Sequence, residues 1–212
     1  AQAFPRAART TYIRPDSEGN AMDRHACIAV LAAIVAAAPA VAADAIFANG
    51  FEPSRWVAGY YVGYERDLLP VDEIDFSAVT HLMVGRARPL AGGALATDFD
   101  IDAVQGPAWA HSAVDAAHAA GRRAILMVGG AGEIDGWRDA ATPAHRSAFV
   151  ANLLAAFDDY CFDVLDLDWE PREPGDQADF IALAQALRSA RGGLLLTVPV
   201  DWINSKDRKS VV

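Results

Sequence analysis

Phe162-Asp-Val-Leu-Asp-Leu-Asp-Trp-Glu-Pro171 sets four acids, Asp163, Asp166, Asp168 and Glu170, inside an otherwise apolar run. Core strands do not ordinarily carry carboxylates, because a buried charge without a partner is expensive. Strand parity sorts the residues, since successive side chains point to opposite faces. Asp166, Asp168 and Glu170 share one face, with about 6.6 Å between steps at strand rise. Leu165, Leu167 and Trp169 share the other and are expected to pack on covering helices. Asp163 has the wrong parity for the acidic row and sits at the strand's start. Three like charges in a row repel unless protonated, hydrogen-bonded or compensated. Folding alone does not select such a row, so it reads as functional. Glu170 stands at the C-terminal end of the strand, where α/β barrels and open sheets carry their chemistry.

The flanking sequence supplies more elements of the same kind. Val57–Tyr64, Val79–Gly85, Ala124–Gly130, Phe162–Glu170 and Leu194–Val200 read as strands. Helices are expected over Ala108–Ala120, closed by Gly121, from Thr142-Pro143 to about Tyr160, and over Gln177–Ala190, closed by Gly192-Gly193. Strands apolar on both faces, alternating with helices, predict a parallel sheet covered by helices. A doubly wound sheet and a (β/α)8 barrel both satisfy this pattern, and five strands do not separate them.

The chain has 212 residues and a formal charge of -10, which argues against nucleic-acid or anionic-membrane partners. Ala26 to Ala43 is uncharged and alanine-rich and ends in small residues. Residues 22–43 therefore read as a secretory signal peptide, although Asp23 weakens its basic start. Residues 1–21 precede Met22 and are expected to be upstream translation. Residues 44–56 read as a linker, and the mature protein as secreted, extracellular or periplasmic, and free of the membrane. Loss of the leader removes Cys27 and leaves Cys161 without an intrachain partner.

Stacked acids raise the pKa of the outermost group, which suits Glu170 to general-acid work on a glycosidic oxygen. The runner-up is a divalent cation held by the carboxylates, though such sites usually draw acids from different strands. Val128-Gly-Gly-Ala-Gly132 lacks phosphate-loop spacing and reads as close backbone approach at a strand end. His81, His111, His118 and His145 show no metal-ligand spacing, and neither a metal nor a cofactor is expected.

The spacing Asp163-x-x-Asp166-x-Asp168-x-Glu170 resembles the catalytic signature of family-18 glycoside hydrolases, the chitinase-like (β/α)8 TIM barrels. Tyr160-Cys-Phe-Asp163 resembles that family's Tyr-Gly-Phe-Asp lead-in. Gly59-Tyr60-Tyr61 is similar to its first strand, Asp75–Leu82 to the approach to its second, Gly129-Gly130 to the end of its third, and Leu195–Val198 to its fifth. These follow family order from Val57 to about Asn204. The resemblance implies an α/β barrel of which strands 1–5 are present, with a partial catalytic domain over residues 57–204. It also implies substrate-assisted, retaining cleavage of β-1,4-linked N-acetylglucosamine in chitin or its oligomers. Glu170 would protonate the glycosidic oxygen and later serve as base, Asp168 would orient the acetamido group, and Asp166 would share a proton with Asp168. Tyr60 would line the cleavage subsite or simply pack in the barrel, and Trp202 would stack on sugar or cover the barrel edge.

The chain departs from the family at several positions. Val164 stands where Gly is frequent, and Pro171 directly follows Glu170 where a tyrosine is usual. Met127 replaces the serine that normally bonds the deepest aspartate, which leaves the charge balance of Asp166 open. Ala131 replaces a sugar-stacking tryptophan, and Arg86 replaces an aromatic on strand two. Residues 205–212 fit no family pattern and are expected to be an artefactual tail. The rival reading is a non-catalytic, chitin-binding, lectin-like relative. Such members commonly lose the acid at the position of Glu170, which this chain keeps. A metal-dependent barrel enzyme of different chemistry is a third.

Overall fold

The computed structural model describes residues 56–200. Five strands form a parallel sheet in the order β1, β2, β4, β5, β6: β1 (Ala58–Val62), β2 (His81–Pro89), β4 (Arg123–Gly129), β5 (Val164–Asp168) and β6 (Leu196–Thr197). The short β3 (Leu95–Ala96) folds back antiparallel on the end of β2. Four helices connect them: α1 (Gln105–Ala119), α2 (Ile134–Ala140), α3 (Arg146–Asp159) and α4 (Gln177–Ala190). This is the strand order of a (β/α)8 barrel, seen over its first five parallel strands. The expected leader, the first part of the linker and Trp202 lie outside the described residues.

Two apolar layers follow from strand parity. Leu82, Val84, Leu126, Val128, Leu165 and Leu167 face the helices, where they pack with Val114, Phe149, Leu153, Leu183 and Leu187. The opposite face carries a smaller cluster of Met83, Ile125, Met127 and Val164. Register continues that inner face across the sheet: Tyr60 pairs with Met83, Met127 with Asp166, and Asp166 with Thr197.

The helix-to-strand joints are built alike. Gly121 takes a left-handed φ of 67° after α1. Its amide bonds the His118 carbonyl at 2.9 Å, and the Arg122 amide bonds that of Ala117 at 2.8 Å. This Schellman closure satisfies the last helical carbonyls and turns the chain directly into β4. After α3, Cys161 takes the same left-handed turn, with φ 59°. The amides of Cys161 and Phe162 bond the carbonyls of Asp158 and Phe157 at 3.2 and 3.0 Å. The chain's other cysteine, Cys27, lies outside the described residues.

Several boundaries differ from expectation. β5 ends at Asp168, where the Asp168 carbonyl accepts the Gly130 amide at 2.7 Å. Trp169 and Glu170 have left the ladder, and Pro171 offers no N–H to resume it. Only Leu196–Thr197 of the expected Leu194–Val200 strand pairs, and Pro199 ends the run for the same reason. The Thr142–His145 segment forms a turn ahead of α3, because the Thr142 carbonyl captures the amides of both His145 and Arg146.

Asp163 closes the foot of the barrel. Its carboxylate accepts the Ala124 amide at 2.8 Å and contacts His118 Nε2 at 2.9 Å. That bond to Asp163, against burial, holds the His118 imidazole above its usual 6.5. Burial pushes Asp163 upward, but His118 and the Ala124 amide outweigh it and hold the carboxyl below 3.8. The histidine's contribution is complete below 6.5 and fades as pH rises through its elevated pKa. The aspartate's is complete above 3.8 and fades as pH falls through its depressed one. Both side chains are about one-third exposed, so screening keeps the pair small. Replacing His118 with Gln should lower stability by a few tenths of a kcal/mol at pH 5.5 and by nothing measurable at pH 9. Urea unfolding at the two pH values reads the difference.

Candidate active site

The acid row emerges where β5 delivers its inner face to the C-terminal mouth of the sheet. Asp166 is deepest, 4% exposed, and lies between Met127 of β4 and Thr197 of β6. The Thr197 hydroxyl donates to Asp166 Oδ1 at 2.5 Å. Burial pushes the Asp166 carboxyl up, the Thr197 donor pulls it down, and the Glu170 charge pushes it further up. The position normally held by serine is Met127, which gives no hydroxyl, so the donor comes from the next strand.

Asp168 is one step outward and only 6% exposed. Its Oδ1 has no hydrogen-bond donor among the described residues. Burial, then the charges of Glu170 and Asp166, raise its pKa to about 6, with Arg86 opposing. The sequence pattern predicts the elevation on the outermost acid; burial places it instead on the inner members, Asp166 and Asp168. Glu170 is exposed beyond the end of β5 and lines an open cleft of about 710 Å³, together with Tyr60, Arg86, Met127, Gly130 and Asp168. Tyr60 projects from β1 toward the row. Burial and the charges of Asp166, Asp168 and Glu170 all raise its phenol. Tyr60, Asp166, Asp168 and Glu170 are therefore gathered in one place.

Two supports hold the segment that bears Glu170. Trp169 stacks on Trp137 of α2, with ring centres 5.3 Å apart and planes 6° from parallel. Gly129 makes that contact possible: a Cβ there would fall 2.3 Å from Trp137 Nε1 and 2.5 Å from the Asp168 carbonyl. The glycine pair after β4 thus serves close backbone approach. Arg138 of α2 bonds Asp176 at 2.8 Å and Glu173 at 2.8 Å, bracing the loop that follows Pro171. Those two residues also cap each other, with the Glu173 amide on Asp176 Oδ2 at 2.9 Å.

On the opposite wall, Arg86 of β2 reaches four acceptors. Nε bonds Asp100 at 2.9 Å, Nη1 the carbonyls of Gly129 and Ala131 at 3.0 and 3.3 Å, and Nη2 approaches Glu133 at 3.2 Å. With Ala131 beside it, this wall is polar where the family pattern is aromatic. In the sequence Arg86 stands out only as a lost aromatic, and Thr197 does not stand out within its apolar run. Strand alternation carried from Asp166 across the parallel register points to Thr197; no local pattern points to the partners of Arg86. The expected histidines are dispersed: His81 stacks on Trp56, His111 stacks on Tyr160, and His145 pairs with Asp139. Among the described residues, no three His, Cys, Asp or Glu side chains group as a metal would require.

Comparison with known proteins agrees with this geometry. The family model described as glycosyl hydrolases family 18 matches residues 57–205. A group IV chitinase from Ostrinia furnacalis, solved in complex with allosamidin, is 29% identical with a TM-score of 0.59, the match covering 68% of this chain and 43% of that one. A chitinase from Rhizomucor miehei is 26% identical with a TM-score of 0.58, covering 69% of this chain and 47% of that one. Among curated proteins, a chitinase-like effector from Moniliophthora roreri is 28% identical over 142 residues, 62% of this chain and 34% of its own length. The chain therefore spans less than half the length of each of these relatives. The family match runs unbroken from the start of β1 to beyond β6 and includes the whole acid row, so the chain belongs to glycosyl hydrolase family 18.

Proposed function

We propose that the protein is a glycoside hydrolase that cleaves β-1,4 linkages of N-acetylglucosamine in chitin or its oligomers. The observation that carries this reading is Asp168. A buried carboxylate oxygen without a donor is costly, and an acetamido N–H entering the cleft would supply one. That a similar protein, the Ostrinia furnacalis group IV chitinase, is a chitinase and binds allosamidin supports a chitinase-type ligand for this chain.

The steps follow from the positions of the carboxylates. Glu170, exposed at the mouth, gives its proton to the glycosidic oxygen as the bond to the anomeric carbon breaks. The acetamido carbonyl oxygen of the same sugar attacks that carbon, forming a cationic oxazolinium ring. Asp168 accepts the acetamido N–H and faces the developing positive charge. Asp166, hydrogen-bonded by Thr197 rather than paired with a cation, allows a proton to be shared within the row. Glu170 then takes a proton from water, which opens the ring with retention. Tyr60 borders the reacting sugar from β1. With residues 22–43 as leader, the enzyme would act outside the cytoplasm.

A non-catalytic, chitin-binding role is the second reading. It is favoured by the polar wall at Arg86 and Ala131 and by the chitinase-like effector among the relatives. Hydrolysis of a fluorogenic N-acetylglucosamine oligomer separates the two. The chain should release fluorophore, and Glu170→Gln should lose about 100-fold or more. Equal rates for both proteins would defeat the assignment of Glu170.

A pH profile tests Asp168. Its carboxylate form is the one that faces the cation, so the rate should fall as pH drops through about 6, and Asp168→Asn should remove that limb. Thr197→Val tests the deepest member. It strands a buried carboxylate and should destabilise the fold by about 1–3 kcal/mol at pH 8. An elevated carboxyl pKa destabilises as pH rises through it, so the deficit should shrink as pH is lowered toward the Asp166 pKa, which burial holds above 3.8. Urea unfolding at pH 8 and at successively lower pH measures it.

A further inference from the structure

We propose that Arg86 is a positioning residue for the acid row, one that joins three segments of the cleft wall and sets a single cation beside Asp168. The inference rests on the function proposed above for the row and adds a residue to it. It begins with a bulge. Val84 pairs with Leu126 and Ala87 with Val128, so β2 spends one residue more than β4 over this interval. An extra residue of this kind re-aims side chains at a strand's end. Here Arg86 lines the cleft instead of joining the helix-facing layer.

The guanidinium has five N–H donors in a rigid fork, and its partners come from separate stretches of chain. Asp100 belongs to a turn in which Phe99 and Asp100 have φ of 51° and 56°. Two consecutive left-handed residues without glycine are unfavourable and persist only where their surroundings hold them. Full burial of Phe99 and the ion pair from Arg86 to Asp100 do so. Gly129 ends β4, Ala131 belongs to the loop leaving it, and Glu133 to the approach to α2. Gly130 lies so close that a Cβ there would sit 3.2 Å from Arg86 Nη1. The Gly130 amide in turn bonds the Asp168 carbonyl at 2.7 Å. Arg86 is thus two contacts from the backbone of Asp168.

Charge points the same way. Asp168 is faced by Asp166 and Glu170 of its own segment, by Tyr60 from β1, and by Arg86 from β2, with Asp100 and Glu133 behind the arginine. Arg86 is the one cation among the described residues that line the cleft. Asp100 and Glu133 neutralise much of it, so its influence on Asp168 is a partial one. Its side chain is 22% exposed, with most of its donors already committed. Its part is to fix the wall and the field rather than to grip sugar.

Arg86→Lys keeps the charge and loses the fork; Arg86→Met loses both. Carboxyl carbon NMR titration of the full chain, with Asp168 assigned through Asp168→Asn, reads the field. Amide exchange at Gly130 reads the wall. In Arg86→Met the Asp168 midpoint should rise by about half a unit or more, whereas Arg86→Lys should hold it near the wild-type value. Both variants should speed Gly130 exchange by about tenfold. Should Arg86→Met fail to fold, Arg86→Lys still decides: wild-type exchange at Gly130 in the lysine variant overturns the proposal. Wild-type values of both readouts in a folded Arg86→Met do the same. Neither readout needs turnover, so a chain that does not hydrolyse the oligomer refutes the function while leaving this test intact.

Discussion

Everything in this site depends on a parity constraint in β5. Five consecutive buried residues must divide between two environments, and alternation leaves no freedom in how they do so. Leu165 and Leu167, continued by Trp169, meet the helices, while Val164, Asp166 and Asp168 meet the barrel interior. A one-residue slip would drive two carboxylates into the helix layer and two leucines into the cleft. The apolar side therefore enforces the register that the acidic side needs. Trp137 stacked on Trp169 extends this control past the last ladder bond, to the residue just before Glu170.

Much of this was legible because it is periodic. The row's parity, the bounds of α4 and the glycine that closes α1 all follow from alternation, helical spacing and turn chemistry. The limits were equally physical. Leu194–Val200 looks like a full strand by composition, but Pro199 removes a ladder donor and pairing stops at Thr197. The seven residues of α2 are too few to declare a period, and Gly136 within them answers a tertiary demand, since a Cβ there would meet the Pro89 carbonyl at 2.1 Å. Thr197 sits in an apolar run, and its bond to a residue 31 positions away exists only through register. Arg86 reads locally as an absence, a missing aromatic. Its acceptors, at 14, 43, 45 and 47 positions along the chain, appear only when the fold closes.

The supports around the row divide the work between hydrogen bonds and ion pairs. Inside, where the row is buried, Asp166 is met by a neutral hydroxyl, which avoids the desolvation of a second charge. Toward the surface, the braces are ionic. Arg138 grips Asp176 and Glu173 behind the Glu170 loop, and Arg86 grips Asp100 and Glu133 across the cleft. Both arginines use more than one donor, and both fasten loops that the sheet leaves unpaired. Rigid carboxylates at a mouth built from loops require such fasteners, because loop backbone has no ladder of its own.

The magnitudes bear on how much charge the row holds. The rise of Asp168 from 3.8 to about 6 corresponds to about 3 kcal/mol. At an effective dielectric of 20, one ionised neighbour a strand step away contributes about 2.5 kcal/mol. Two such neighbours at that dielectric would overshoot the whole elevation, so screening by the open cleft and the opposing Arg86 charge cut their share. Arg86 offsets only part, because its own charge is largely taken up by Asp100 and Glu133. Burial is the largest cause of the rise, and its cost is relieved as pH falls through about 6. A carboxylate charged at neutral pH and discharged just below it, beside a last member open to solvent, fits the cation-facing duty proposed for Asp168.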